Sequence, residues 1–263
     1  MKTLPIFQVD AFSSEIFAGN PAAVCPVSGT LTDIEMIAIA GENNLSETAF
    51  IDISADPFFI RWFTPEVEVN LCGHATLASA RILFDEYLPK TIEHIDFNSK
   101  SGKLSASKQR DLIYLDFPID NPRIIDGNIR IEEALGYKPV ELLKGKDDLL
   151  AIFDDELIIP TMTPDFEKLK LLDSRGLIVS AKSSQFDFIS RFFAPQSGIN
   201  EDPVTGSAHT LLTPYWAQKL NKNKMTGFQC SKRGGQLKCQ LNKDRVMIGG
   251  ATARYMHGTI CVA

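Results

Sequence analysis

Glu47 stands among Leu45, Ala49 and Phe50, with hydroxyl side chains on either side at Ser46 and Thr48. Apolar neighbours withhold water from a carboxyl group and raise its pKa towards neutrality, where a general acid or base works best. On the residues alone, a solvated glutamate at a strand start is the competing reading. His74 follows Gly73 at the expected opening of a helix. The positive end of the helix dipole disfavours imidazolium there, so a neutral ring that hydrogen-bonds a carboxylate or hydroxyl is expected. The alternative is a structural histidine near a cap. Asp202 and Ser207 flank a second expected opening at Gly206, where both residue types also serve as ordinary caps. A carboxyl group, a neutral imidazole and polar anchors are the parts needed to move a proton within a small molecule.

These residues sit in a duplicated frame. Arg61-Trp62-Phe63-Thr64-Pro65 and Arg191-Phe192-Phe193-Ala194-Pro195 lie 130 positions apart, with arginine, second phenylalanine and proline in register. Gly73-His74-Ala75-Thr76-Leu77 is echoed by Gly206-Ser207-Ala208-His209-Thr210-Leu211, after three further positions. Each half reads as an aromatic strand, a proline-marked loop, then a small-residue turn opening a helix. Helix openings at Gly73 and Gly206 would present unsatisfied amides and partial positive charge, a ready anion site. The frame predicts a small anionic substrate held by two such termini between similar halves.

Composition narrows the classes. A formal charge of −6 and a pI near 5.3 argue against nucleic acid as the main partner, since phosphate binding needs a concentrated basic surface. Lys219, Lys222 and Lys224 read as a solvated helix end. No apolar stretch approaches a membrane span, and Pro5 and Asp10 interrupt the start before a signal-peptide pattern develops. Five cysteines, an odd count without close pairs, fit reduced thiols and a cytoplasmic location. His74, His94, His209 and His257 are far apart and lack familiar ligand spacings, so no metal site is expected. His209, one turn inside the second helix, reads as packed structure; His94 and His257 receive no role.

Periodicity places strands at 4–9, 22–27, 48–53, 58–63, 92–97, 103–107 and 112–117 in the first half. An amphipathic helix is expected over 31–43, capped by Thr32 or Ser28 and burying Ile34, Ile37 and Ala38, and a second from Gly73. Residues 118–122, with Pro118 and Pro122, mark the expected boundary and a candidate mobile linker. The second half predicts helices at 130–135, 164–172 and from Gly206, with strands at 150–159, 177–180, 186–193 and from Met225. Pro164 suits a first helical turn, and Pro214 predicts a kink.

Four motifs in order resemble the phenazine-biosynthesis PhzF family, of the diaminopimelate-epimerase-like fold. They are Gly19-Asn20-Pro21-Ala22-Ala23-Val24, Ser46-Glu47-Thr48-Ala49-Phe50, Leu71-Cys72-Gly73-His74-Ala75-Thr76 and Glu201-Asp202-Pro203-Val204-Thr205-Gly206-Ser207-Ala208-His209. Pro214-Tyr215-Trp216 is similar as well, and the resemblance runs from Phe7 to the closing strands. It implies an α+β protein of two pseudo-symmetric lobes, each a barrel-like, mostly antiparallel sheet around a central helix. The lobes would span 1–117 and 118–263, with the last strand free to pack on the N-terminal lobe. It further implies a cofactor-free isomerase, usually a homodimer, in which Glu47 shuttles the proton while His74, Asp202 and Ser207 orient the substrate. In phenazine-producing members the substrate is a dihydro-hydroxyanthranilic acid; here the expectation stops at a small cyclic or unsaturated amino or hydroxy acid. Diaminopimelate epimerases instead use two cysteines, one before each helix-opening glycine. Cys72 fills the first position, but Thr205 fills the second, and its hydroxyl is a far weaker acid than a thiol. A racemase using Cys72 with another partner, and a binding protein without catalysis, are the alternatives.

Overall fold

The computed structural model describes residues 2–29, 31–127 and 129–262. They form two compact units: the chain through Asp116 together with the residues from Gly249 onward, and Phe117–Ile248. Among the described residues no helix is long and apolar enough to cross a membrane.

The first unit contains β1 (Lys2–Ala11), β2 (Asn20–Val27), α1 (Asp33–Asn43), β3 (Glu47–Asp52), β4 (Phe58–Phe63) and β5 (Glu68–Val69). After α2 (Gly73–Ile82) come β6 (His94–Ser99), β7 (Gly102–Gln109) and β8 (Leu112–Pro118). After Asn20, strand β2 is apolar through Val27 because both its faces are covered. Ala23, Cys25 and Val27 share a core cluster with Met36, Ile39 and Ala40 of α1, while α2 packs on β1, β2 and β3. Ala75, Leu77, Ala78, Ser79, Ala80 and Ile82 of α2 are all buried, as a helix enclosed by sheet requires. Thr32 and Glu35 form a reciprocal capping box on α1. The apolar face expected from Ile34, Ile37 and Ala38 is displaced. Ile34 is exposed, and Met36, Ile39 and Ala40 are the buried positions, so the stripe follows the sheet rather than the most hydrophobic residues.

The second unit contains β9 (Arg123–Ile124), α3 (Ile129–Leu135), β10 (Glu141–Lys144), β11 (Asp148–Phe153), α4 (Ile158–Thr161) and α5 (Phe166–Leu169). Then follow β12 (Gly176–Lys182), β13 (Phe188–Ala194), β14 (Ile199–Asp202), α6 (His209–Leu220), β15 (Lys224–Gln229), β16 (Gly235–Asn242) and β17 (Arg245–Gly250). The final strand, β18 (Thr252–Val262), pairs antiparallel with β1 from Lys2↔Val262 to Ala11↔Thr252. That ladder draws the C-terminus into the first unit, where the residues from Gly249 onward join the chain through Asp116.

The duplication extends to strand order. In the first unit β2 pairs parallel with β3, β3 antiparallel with β4, β4 parallel with β6, and β6 antiparallel with β7. In the second, β11–β12, β12–β13, β13–β15 and β15–β16 repeat the same alternation. Antiparallel pairs predominate, and α6 packs on β15 and β16. The architecture is α+β and epimerase-like.

Two local expectations are corrected. The strand foreseen over 150–159 ends at Phe153, and α4 follows. Asp165, not a residue before Pro164, caps α5 by accepting from the amides of Glu167 and Lys168. Within the expected boundary, the amides of Ile119 and Asp120 donate to the carbonyls of Asp244 and Thr210 at 3.0 and 3.2 Å, and the Asp120 carboxylate accepts from the Lys146 amide.

Candidate active site

Each half fastens the loop before its small-residue turn by the same device. Arg61 donates from Nε and Nη2 to the two carboxylate oxygens of Glu68, both at 2.7 Å, with its guanidinium 4.9 Å from the centre of the Phe63 ring. Arg191 grips Glu201 in the same bidentate way at 2.7 and 2.9 Å, 4.8 Å from the Phe193 ring. Glu68 and Glu201 each lie five positions before the glycine of their turn. The three extra residues therefore fall between Pro195 and Glu201, taken up by a 3-10 turn over Pro195–Ser197 and the left-handed Gly198. Planar arginine–carboxylate pairs fix orientation as well as distance.

In the first unit the clamp leads to α2. Cys72 is its extended N-cap residue and makes no side-chain capping bond, so the first amides of the helix stay available to a ligand. Thr76 Oγ1 donates to the Cys72 carbonyl at 2.6 Å. Glu47 opens β3 opposite Ala22 of β2, and the neighbouring Thr48 hydroxyl accepts from Asn43 of α1 at 3.0 Å. These anchors bring the Glu47 carboxylate to 3.3 Å from Nε2 of His74, with side-chain exposures of 14% and 7%. Glutamate and imidazole are thus both largely withdrawn from water, as the sequence suggested for Glu47.

A carboxylate at that distance favours imidazolium, but burial dominates and pulls the His74 pKa down to about 3. The ring is neutral, so the contact is not an ion pair. Nε2 faces the Glu47 carboxylate, and Nδ1 lies 3.5 Å from the Cys72 thiol. The expected neutral state at a helix opening is met, with enclosure as its main cause.

In the second unit the corresponding turn differs from expectation. Residues 206–208 form a tight turn, with the amides of His209 and Thr210 donating to the carbonyls of Gly206 and Ser207 at 3.0 and 3.1 Å, and the α-helix proper starts at His209. Threonine, glycine and serine favour this looser entry over a direct helical start. Thr205 donates to Asp202 Oδ2 at 2.5 Å, and the Thr205 amide donates to Gln229 Oε1 at 2.9 Å. Gln229 returns its own amide to the Asp202 carbonyl at 2.7 Å. Ser207 Oγ accepts from Arg175 Nη2 at 3.1 Å, and Arg175 is itself paired with the buried Asp148. The structure therefore gathers Glu47, Gly73 and His74 in one unit, and Asp202, Gly206 and Ser207 in the other.

His209 occupies the place of Thr76. Its Nδ1 donates to the Thr205 carbonyl at 2.8 Å, matching the bond from Thr76 to Cys72, while its ring lies 5.8 Å from Phe188. Complete burial lowers its pKa to about 4. It is packed structure. Exposed His94 contacts Ser107 and Asp96, and His257 stacks on Phe7.

Gln229, Arg175 and Asp148 escaped sequence reasoning, since each acts across 24 to 32 residues of chain and none lies in a repeated motif. So did the grouping of Cys72 with Glu47 and His74. The ligand atoms of these three lie within 4.8 Å of one another, a set able to hold a metal ion that a survey of histidine spacing had passed over.

The model of the family described as phenazine biosynthesis-like protein matches residues 9–258. An uncharacterised isomerase of Pseudomonas aeruginosa is 49% identical over 98% of both chains. Mouse phenazine biosynthesis-like domain-containing protein 2 is 41% identical over 98% of this chain and 99% of its own. The crystal structure of a PhzF-family phenazine biosynthesis protein from Enterococcus faecalis superimposes with a TM-score of 0.96 at 45% identity, covering 99% and 100% of the two chains. A hydroxyproline epimerase from Agrobacterium vitis shares the fold alone, with a TM-score of 0.65 at 8% identity.

Proposed function

The chain belongs to the phenazine biosynthesis-like (PhzF) family, and we propose that it is an isomerase in which Glu47 carries a proton between two carbons of one substrate. The name of its Pseudomonas relative supports an isomerase. The observation that carries the reading is the half-buried Glu47 carboxylate held 3.3 Å from a neutral His74.

The Glu47 carboxylate removes a proton from an activated carbon, and the electron pair of that C–H bond enters the conjugated skeleton. Protonated Glu47 then returns the proton to another carbon, so atoms and charge balance within one molecule and no cofactor takes part. His74 donates to the carboxylate or to a substrate oxygen and holds that geometry. The amides at Gly73 bind the substrate carboxylate beside Glu47 and His74, and Asp202 and Ser207 at the second unit's turn are the corresponding candidates for amino or hydroxyl groups. The substrate class is a small, carboxylate-bearing, cyclic or unsaturated amino or hydroxy acid, and the enzyme acts as a homodimer.

The test is a metabolite screen in deuterated water with wild type and Glu47→Gln. The variant retains ligand binding and loses turnover by at least about a hundredfold, the lower end of what a positioned acid or base contributes. Unchanged turnover removes Glu47 from the mechanism. A racemase using Cys72 would instead label the alpha carbon with loss of chirality. Its pseudo-symmetric partner position offers only the Thr205 hydroxyl, already donating to Asp202.

A further inference from the structure

We propose that Glu47, Cys72 and His74 form a capture site for one thiophilic divalent cation, with Zn²⁺ as its type, and that the bound ion switches the enzyme off. Thiolate, imidazole and carboxylate are the three protein ligand types of zinc. Here one of each converges from two elements, the start of β3 and the opening of α2, within 4.8 Å. Tetrahedral zinc with ordinary bond lengths places sulfur about 3.5 Å from nitrogen, and nitrogen about 3.3 Å from oxygen. The corresponding separations are 3.9 Å from Cys72 Sγ to His74 Nε2 and 3.3 Å from Nε2 to Glu47 Oε2. Sγ also lies 3.5 Å from Nδ1, so the Cys72 thiol must swing about its side-chain bond to the outer side of Nε2 to complete that edge, leaving a fourth position for water.

The set belongs to one half of the molecule only. The positions equivalent to Cys72 and His74 hold Thr205 and Ser207, and the Thr205 hydroxyl is engaged by Asp202. One ion per chain is therefore expected. A sulfur ligand also selects zinc or cadmium over magnesium and calcium, which prefer all-oxygen sites. Bound zinc would occupy the Glu47 lone pair and the His74 nitrogen together, so the consequence for activity rests on the isomerase reading, whereas the binding does not.

Co²⁺ serves as the first probe, because thiolate ligation gives it a sulfur-to-metal charge-transfer band. The wild-type protein is expected to bind one equivalent with that band and to exchange it for Zn²⁺. Cys72→Ser loses the band, and Cys72→Ser and His74→Gln each weaken binding by at least about tenfold. A band that persists in Cys72→Ser assigns the metal to another thiol and overturns the site, as does the absence of stoichiometric binding. A measurement that needs no change in the cluster is zinc-edge X-ray absorption on Cys261→Ser, which removes the exposed thiol. One sulfur at about 2.3 Å supports the site, and a shell of nitrogen and oxygen alone refutes it. Turnover lost at one equivalent of Zn²⁺ and regained with chelator supports the switch. Full turnover with zinc demonstrably bound overturns the switch and the role of Glu47 while leaving the metal site standing.

Discussion

Nε2 of His74 and Oε2 of Glu47 lie 3.3 Å apart at the meeting of a helix start and a strand start, and neither group reaches bulk water freely. The pair is held by backbone anchors on both sides, so its geometry is set before any ligand arrives. His74→Ala is expected to lower kcat by roughly a hundredfold through loss of that placement. His74→Gln, which keeps an N–H donor, is expected to recover part of it. Steady-state kinetics on both variants, with circular dichroism to confirm folding, decides the matter.

Burial of His74 and His209 makes stability depend on pH in a definite direction. Their pKa values fall from 6.5 to about 3 and about 4, so between those values and 6.5 the unfolded chain binds more protons than the folded one. Stability therefore falls as pH drops from about 7 towards 4, by up to about 1.4 kcal/mol per unit for each histidine. Urea midpoints measured across that range should show the slope, and His209→Gln should flatten it. A histidine-free slope equal to that of the wild type would contradict this account.

The two arginine clamps should differ in energy. Arg191 is 9% exposed and also donates to the carbonyls of Ile159 and Met162, so Glu201→Gln strands a buried charge and should cost about 3 kcal/mol. Arg61 retains Asp33 at 2.8 Å when Glu68 is neutralised, and Glu68→Gln should cost about 1 kcal/mol. Equilibrium urea unfolding of the two variants gives the comparison.

Arg175 is a positioning residue for Ser207. Because it donates to Ser207 Oγ, the hydroxyl proton of the serine is directed elsewhere, towards an acceptor such as a substrate oxygen. Arg175→Met is expected to raise KM about tenfold with a smaller change in kcat, and Arg175→Lys should not restore it, since a single ammonium cannot reproduce the fork. The same change leaves Asp148 buried beside no cation, so a lower unfolding midpoint accompanies it.

Pro214 should be nearly neutral to replacement. The carbonyl of Thr210, which a proline four residues later cannot serve, accepts from the Asp120 amide instead, and α6 continues to Leu220. Pro214→Ala is expected to change stability by less than about 1 kcal/mol, well below the roughly 3 kcal/mol of an uncompensated helix proline. Thermal unfolding measures the difference.

Much of this molecule was readable from its chain because the informative signals were local or repeated. Arg61 and Arg191 with their proline loops announced the duplication, and Glu47, with Leu45, Ala49 and Phe50 close by in sequence, announced a shielded carboxyl group. What remained hidden depends on chain returning from afar. Nothing near Arg175 in sequence points to Ser207, nothing near Gln229 points to the Thr205 turn, and the apolar stripe of α1 is decided by the sheet beneath it. Gly206 misled because a glycine–serine pair suits both a helix start and a tight turn; hydrogen bonding within the turn settled which.

The repeated clamp has a historical consequence. Arg61 with Glu68 and Arg191 with Glu201 keep identical chemistry in both halves, as do the back-bonding side chains at Thr76 and His209 in function if not in type. Cysteine against threonine and histidine against serine, at the turns those clamps support, do not match. An ancestor of half this length would thus have owned the scaffold first, and after tandem fusion the residues at the two turns were free to diverge.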